Sequence, residues 1–177
     1  MTLSRVSGAA GEPTAVKAGA FSGLAVFQQH VRDVLALAVL QQWSVIVLSD
    51  PDFADWPLGE HAVVKCLNDW SRSGRSITLL ASSYEFVQSH HARLIDWRRR
   101  WDHIVTCRKF GNRNAAGGTS TVPSVVWTPD WVVHRKVIET CAGQCTQSAL
   151  RRAELRESLN NCLKQSSPGL AASVLGL

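Results

Sequence analysis

Two short apolar runs, Val45-Ile46-Val47-Leu48 and Ile77-Thr78-Leu79-Leu80-Ala81, each precede a segment of helical periodicity, and this alternation restricts the fold more than any other feature. Runs this short and this apolar are expected of strands buried on both faces. Ser49-Asp50-Pro51-Asp52 ends the first. Pro57 then suits a first helical position and Glu60 the positive end of the helix dipole, so a helix is predicted from there. Val63, Cys66, Leu67 and Trp70 form its apolar stripe, and Gly74 closes it. After the second strand, Ser82-Ser83-Tyr84-Glu85 reads as a capping box opening one helix that carries Phe86, Val87, His91, Leu94, Ile95, Trp97 and Trp101. Ile104 to Cys107 is a third strand. Strand, helix, strand, helix, strand implies right-handed crossovers and parallel strands between helical layers.

The flanks extend this unit. Phe27, Val31, Val34, Leu35 and Ala38 mark a preceding helix that stops near Gln41. Val125 to Trp127 and Val132 to Ile138 are two more strands, split by the turn Thr128-Pro129-Asp130 and therefore antiparallel. Gly111 to Thr121 reads as a loop. Leu155, Leu159, Cys162 and Leu163 define a last helix, ended by Pro168-Gly169. The expected fold is a three-layer α/β/α sandwich on a mixed, mostly parallel sheet. Residues 1–20 are expected to be a flexible leader, 21–167 a single α/β domain and 168–177 an apolar tail packing back on it. With 177 residues, one domain buries about 70% of its unfolded surface and needs no metal or disulfide to hold it.

No apolar core of a signal peptide precedes Phe21, and the longest apolar stretch, Val34 to Leu40, is far short of a membrane span. A cytoplasmic protein with no membrane partner is expected, with Cys66, Cys107, Cys141, Cys145 and Cys162 as thiols. Charge is concentrated. Arg93, Arg98, Arg99, Arg100, Arg108, Lys109 and Arg113 face only Asp96 and Asp102 in their stretch, a local excess equal to the chain's net +5. Such a field favours phosphates, nucleic acid or an acidic protein face.

Several side-chain sets carry candidate chemistry. Ligands of open α/β sheets bind outside the carboxyl ends of parallel strands. There Asp50, Asp52 and Asp55 are placed either to share Mg²⁺ with a phosphate or simply to cap turns. Around His91, Arg93, Trp97, Arg98, Arg99, Arg100 and Trp101, indoles beside guanidinium groups suit stacked bases or gripped phosphates. The same tryptophans also fit a core stripe with arginines snorkelling from its edge. Cys141, Cys145 and Cys162 lack zinc spacing, and no metal or other cofactor is expected. Neither a phosphate-binding glycine loop nor a serine-hydrolase elbow is present. His134 and Lys136 alternate onto one strand face, an arrangement suited to a phosphodiester reaction with His134 as nucleophile.

Over residues 45–163, the strand Val45–Leu48, the helix over Ala62–Trp70, the strand Ile77–Ala81 and the late strand bearing His134 and Lys136 resemble one half-domain of the phospholipase D-like superfamily. The resemblance implies a His-x-Lys-x4-Asp motif, a phosphohistidine intermediate and two motif copies meeting across a two-fold axis. Here Cys141 occupies the acidic position, Glu139 lies two residues early, and Gly143-Gln144-Cys145-Thr146 replaces the usual Gly-Ser segment. With one motif, an active site implies a homodimer. Phrases such as Asp55-Trp56-Pro57-Leu58 also resemble a group of small bacterial proteins, which implies no activity. The leading expectation is a non-catalytic binding or regulatory module recognising an anionic ligand or partner through the basic helix. The alternatives are a homodimeric phosphodiesterase using His134 and Lys136, and a structural subunit docking through Leu170 to Leu177.

Overall fold

Three adjacent parallel strands make up most of one half of the sheet, and a computed structural model describes them with the rest of residues 15–111 and 121–171. In chain order the elements are β1 (Gly19–Phe21), α1 (Leu24–Gln41), β2 (Val45–Asp50), α2 (His61–Trp70), β3 (Ser76–Ala81), α3 (Glu85–His90), α4 (Ala92–Arg100), β4 (Val105–Phe110), β5 (Ser124–Trp127), β6 (Val132–Val137), β7 (Ala142–Thr146), α5 (Ala149–Lys164) and β8 (Ser166–Pro168). They build one eight-stranded sheet in the order β1-β7-β6-β5-β2-β3-β4-β8.

The sandwich has the expected three layers. Ile46, Leu48, Ile77 and Leu79 project toward α1, α2, α3 and α4 and join Phe27, Leu35, Val63, Leu67, Val87 and Leu94 in one core. Val47, Leu80, Val125 and Val132 project to the other face, where Leu155 and Leu159 of α5 cover them. Alternate residues of β2 and β3 thus feed two cores, which is why those strands read as uninterrupted apolar runs.

The balance of strand directions differs from the expectation. Only β2–β3 and β3–β4 pair in parallel among the described residues; β5 pairs antiparallel with β2, β5, β6 and β7 form an antiparallel meander, and β1 and β8 add antiparallel at the two edges. For β5–β6 and β6–β7 the cause is loop length: the turns at 128–131 and 138–141 are too short for a crossover, and short turns can join only antiparallel neighbours.

Three element boundaries also differ. First, α2 starts at His61, because Pro57 sits in a turn closed by Glu60 N–H on the Pro57 carbonyl, 3.2 Å. Glu60 serves Arg32 rather than the helix dipole, with carboxylate contacts of 2.6 and 2.8 Å that hold its pKa below the ordinary range. Second, the capping box does not form. Ser82 Oγ is buried without a partner, Ser83 Oγ accepts from Glu85 N–H at 3.3 Å, and the helix begins at Glu85. Third, the long helix is broken at His91. Its ring is buried, donates from Nε2 to the Phe53 carbonyl at 3.1 Å, and lies so close to Gly59 that a Cβ there would meet Nδ1 at 2.6 Å. That tertiary anchor outweighs helical periodicity.

The flanks are more engaged than composition implies. Gly19 to Phe21, partly within the expected leader, pair with Cys145 to Gly143; residues 1–14 lie outside the described residues. Ser166 to Pro168 pair with Phe110 to Arg108, and Leu170 packs against the larger core; residues 172–177 lie outside the described residues, as do 112–120 of the expected loop. No helix among the described residues is long and apolar enough to cross a membrane.

Candidate anion-binding groove

Helices α2 and α4 both connect parallel strands on one face of the sheet, so they lie side by side and run in the same direction. Side-chain contacts show the register. Arg93 Nη1 donates to the Gly59 carbonyl (3.1 Å) at one end, Trp101 Nε1 to Asn68 Oδ1 (3.1 Å) near the other, and Trp97 Nε1 to Ser71 Oγ (3.0 Å) beneath. Between the helices runs a groove of about 330 Å³. From α2 it is lined by His61, Val64, Lys65 and Asn68, and from α4 by Arg93, Asp96, Trp97 and Arg100. Each set is spaced i, i+3, i+4, i+7, one stripe of a helix.

The floor is apolar, made by Val64 and the edge of Trp97. The rim carries the charge. Lys65, Arg93 and Arg100 are cationic; Lys65 pairs with Asp69 at 2.6 Å, and that hydrogen bond raises its pKa. Arg100 is exposed and has no hydrogen bond or ion pair among the described residues. Asp96 is 76% exposed and touches Arg99 at 3.5 Å.

The structure separates the predicted basic set. Arg93 and Arg100 reach the groove. Arg98 does not: its side chain is 8% exposed, donates from Nε to Cys107 Sγ at 3.1 Å and pairs with Asp102 at 3.4 Å. Burial is the main reason the Cys107 thiol sits above its ordinary pKa, with Arg98 opposing. Arg99 is exposed but lines a separate hollow with Gln88, Ile95 and Leu170. Trp97 is 4% exposed, so it presents no face for a base to stack on; Trp101 is half-buried, its N–H already used. His91 is part of the core packing described above. The two helices instead bring in His61, Lys65 and Asn68, which the sequence reading missed. The signal was there: successive crossovers on one face place their helices next to each other.

The aspartates at the strand ends are not a metal centre. Arg135, reaching across from β6, holds Asp50 Oδ1 at 2.8 Å and Asp55 Oδ2 at 2.7 Å. Asp50 Oδ2 accepts from the amides of Phe53 (2.8 Å) and Asp52 (3.2 Å), and Asp52 Oδ1 from Ala54 N–H (2.9 Å). These are turn-capping and ion-pairing roles, and no cluster of metal-binding side chains occurs among the described residues. Burial works against the charge on Arg135, but Asp50 and hydrogen bonds to Cys141, Asp55 and Asp50 outweigh it and raise its pKa.

His134 points to the other face of the sheet, in phase with Val132 under α5, whereas Arg135 and its aspartates lie on the α1 side, and Lys136 falls at the irregularity between Arg135 and Val137, where the expected alternation is broken. His134 therefore lies on the opposite face of the sheet from the Arg135–Asp50–Asp55 group. His134 Nδ1 is buried without a partner, and burial, then Lys136 and Arg151, push its pKa down to about 4. Cys141, at the motif's acidic position, is buried with its Sγ 3.5 Å from Arg135 Nη1. All five cysteines are free.

No family model and no curated protein matches the chain. A solved structure of TrmBL2, an archaeal chromatin protein reported to show a novel mode of DNA binding, aligns with a TM-score of 0.60 at 11% identity, over 90% of this chain and 56% of that one. The likeness is one of fold, and this chain spans little more than half the length of that protein.

Proposed function

We propose that this domain is a non-catalytic binding or regulatory module that takes an anionic ligand into the groove between α2 and α4. One observation carries the reading: Lys65, Arg93 and Arg100 converge from two helices on a single concave surface with an apolar floor. Helices packed on a sheet fix the backbone positions of these donors, and the exposed Lys65 and Arg100 side chains order only when an anion arrives. Phosphates, nucleic acid and acidic protein faces are the candidate anions, and the fold likeness to a DNA-binding chromatin protein supports keeping nucleic acid among them. In the same reading the sandwich is a phospholipase D-like half-domain acting in the cytoplasm. Burial of the Cys141 thiol where that motif carries an acid supports a binding rather than a catalytic role.

The test is titration with inorganic phosphate and with single-stranded and duplex oligonucleotides at two salt concentrations. Binding is expected at low salt, weakening steeply as salt rises. It should fall in Lys65→Gln and Arg100→Gln and persist in Arg151→Gln, a half-buried arginine on α5 away from the groove. If no anion binds at low salt, the proposal is wrong.

A further inference from the structure

We infer that the Arg100 end of the groove is a phosphomonoester subsite, and that the ligand is a small molecule of about nucleotide size bearing a hydroxyl or amine donor. This deepens the anion-binding reading and rests on it.

The donor set at that end is Arg100, Lys65 and Asn68. Arg100 is uncommitted among the described residues, and Lys65 pairs with Asp69 on its own helix at 2.6 Å. Asn68 would be ambiguous alone, since its amide can present either oxygen or NH₂. Trp101 removes the ambiguity. Its Nε1–H, held by an indole packed against the core, occupies Asn68 Oδ1 and leaves the NH₂ free to donate. Three donors then meet at one place, with the Asp69 carboxylate already engaged by Lys65, a donor-rich composition that suits a phosphate.

One turn back along α4 stands Asp96, four residues before Arg100 and lining the same groove. A carboxylate there repels a continuous phosphate backbone but accepts from a hydroxyl or an amine. Between the subsites the floor is Val64 and the covered edge of Trp97, which gives a ring an apolar contact but no aromatic face to stack on. Arg93 and Arg100 are seven residues apart, which at 1.5 Å per residue spans about 10 Å. The 330 Å³ groove lies at the small end of small-molecule sites. A single-strand reader needs exposed aromatic faces for successive bases, and this groove offers none, with Trp97 covered.

Calorimetric titration of the full chain with inorganic phosphate, a nucleoside monophosphate and a hydroxyl-ended oligonucleotide tests the inference. The monophosphate should bind saturably and be displaced by phosphate. Arg100→Gln and Asn68→Asp should each weaken it roughly tenfold or more, the scale of one lost hydrogen bond to a charge. Trp101→Phe keeps the ring and every charge, so a several-fold loss there marks Trp101 as a positioning residue, an effect a diffuse basic patch would not show. Asp96→Asn should weaken the monophosphate but not inorganic phosphate. Oligonucleotide binding without monophosphate binding would overturn this inference and leave the anion-binding module standing. Binding of none of the three would overturn both. Unchanged affinity in both Trp101→Phe and Asn68→Asp would overturn the donor set.

Discussion

Replacing Arg135 by Met tests how the two halves of the sheet are joined. The guanidinium and Asp50 are each 1% exposed and 2.8 Å apart. Arg135 Nε also donates to Ser124 Oγ at 3.0 Å, and the cation lies 4.6 Å from the centre of the Phe27 ring. Met keeps the aliphatic stem and removes the charge, stranding Asp50 as a buried carboxylate with only its two amide donors. Breaking a buried pair from one side costs about 3–5 kcal/mol, because the remaining charge is left uncompensated. Asp55, 40% exposed, adds little to this. For a chain of this length the loss corresponds to a fall in Tm of roughly 6–20 °C. Urea denaturation followed by tryptophan fluorescence measures it, with the midpoint falling and the slope unchanged. The double variant Arg135→Met/Asp50→Asn should be more stable than Arg135→Met alone, since the stranded charge is gone while an oxygen remains for the Phe53 amide. A loss below about 1 kcal/mol in Arg135→Met, or a double variant no better than the single, would refute the argument.

Two further outcomes follow from single residues. His134 is held neutral, its pKa pushed down to about 4 by burial and by Lys136 and Arg151, so the unfolded chain takes up a proton near pH 6.5 that the folded one refuses. Stability should be full above about pH 6.5 and fall as pH drops toward 4, by up to about 3 kcal/mol and less to the extent that solvent reaches the ring. His134→Leu should lose that part of the slope, and parallel pH profiles for the two proteins would contradict the assignment. At Gly143 a Cβ would stand 2.0 Å from the His134 carbonyl oxygen and 2.8 Å from the Arg135 Cα. Both are backbone atoms of β6, which cannot swing aside, so Gly143→Ala should lose at least about 1–3 kcal/mol; a thermal melt matching the parent chain's would show that β6 and β7 can separate after all.

How much of this was legible beforehand depended on the residue. The strands from Val45 and Ile77 and the stripes of α1, α2 and α5 stood out because burial imposes a period on sequence. β7 did not, since Ala142-Gly143-Gln144-Cys145-Thr146 has little strand propensity and is held by its neighbours on both sides. The break at His91 was also hidden, because the Phe53 carbonyl that anchors its ring is 38 residues away. Among the arginines, the row from Arg98 to Arg100 stated only that they could not share one face. The phase of α4 decided that Arg98 turns inward to Cys107 and Arg100 outward to the groove.

The order of elements, the two apolar faces of the sheet and the local excess of positive charge were determined by the sequence alone, for these follow from which side chains avoid water and which repel one another along the chain. What only the tertiary structure decided is where charge is neutralised and where it stays available. Arg135, unremarkable beside His134 and Lys136 in the strand, becomes the partner of Asp50 and Asp55 across the sheet. Lys65 and Asn68, on a helix with no basic excess, come to face Arg93 and Arg100. Both outcomes rest on contacts between residues far apart in the chain, formed only when strands pair and helices pack.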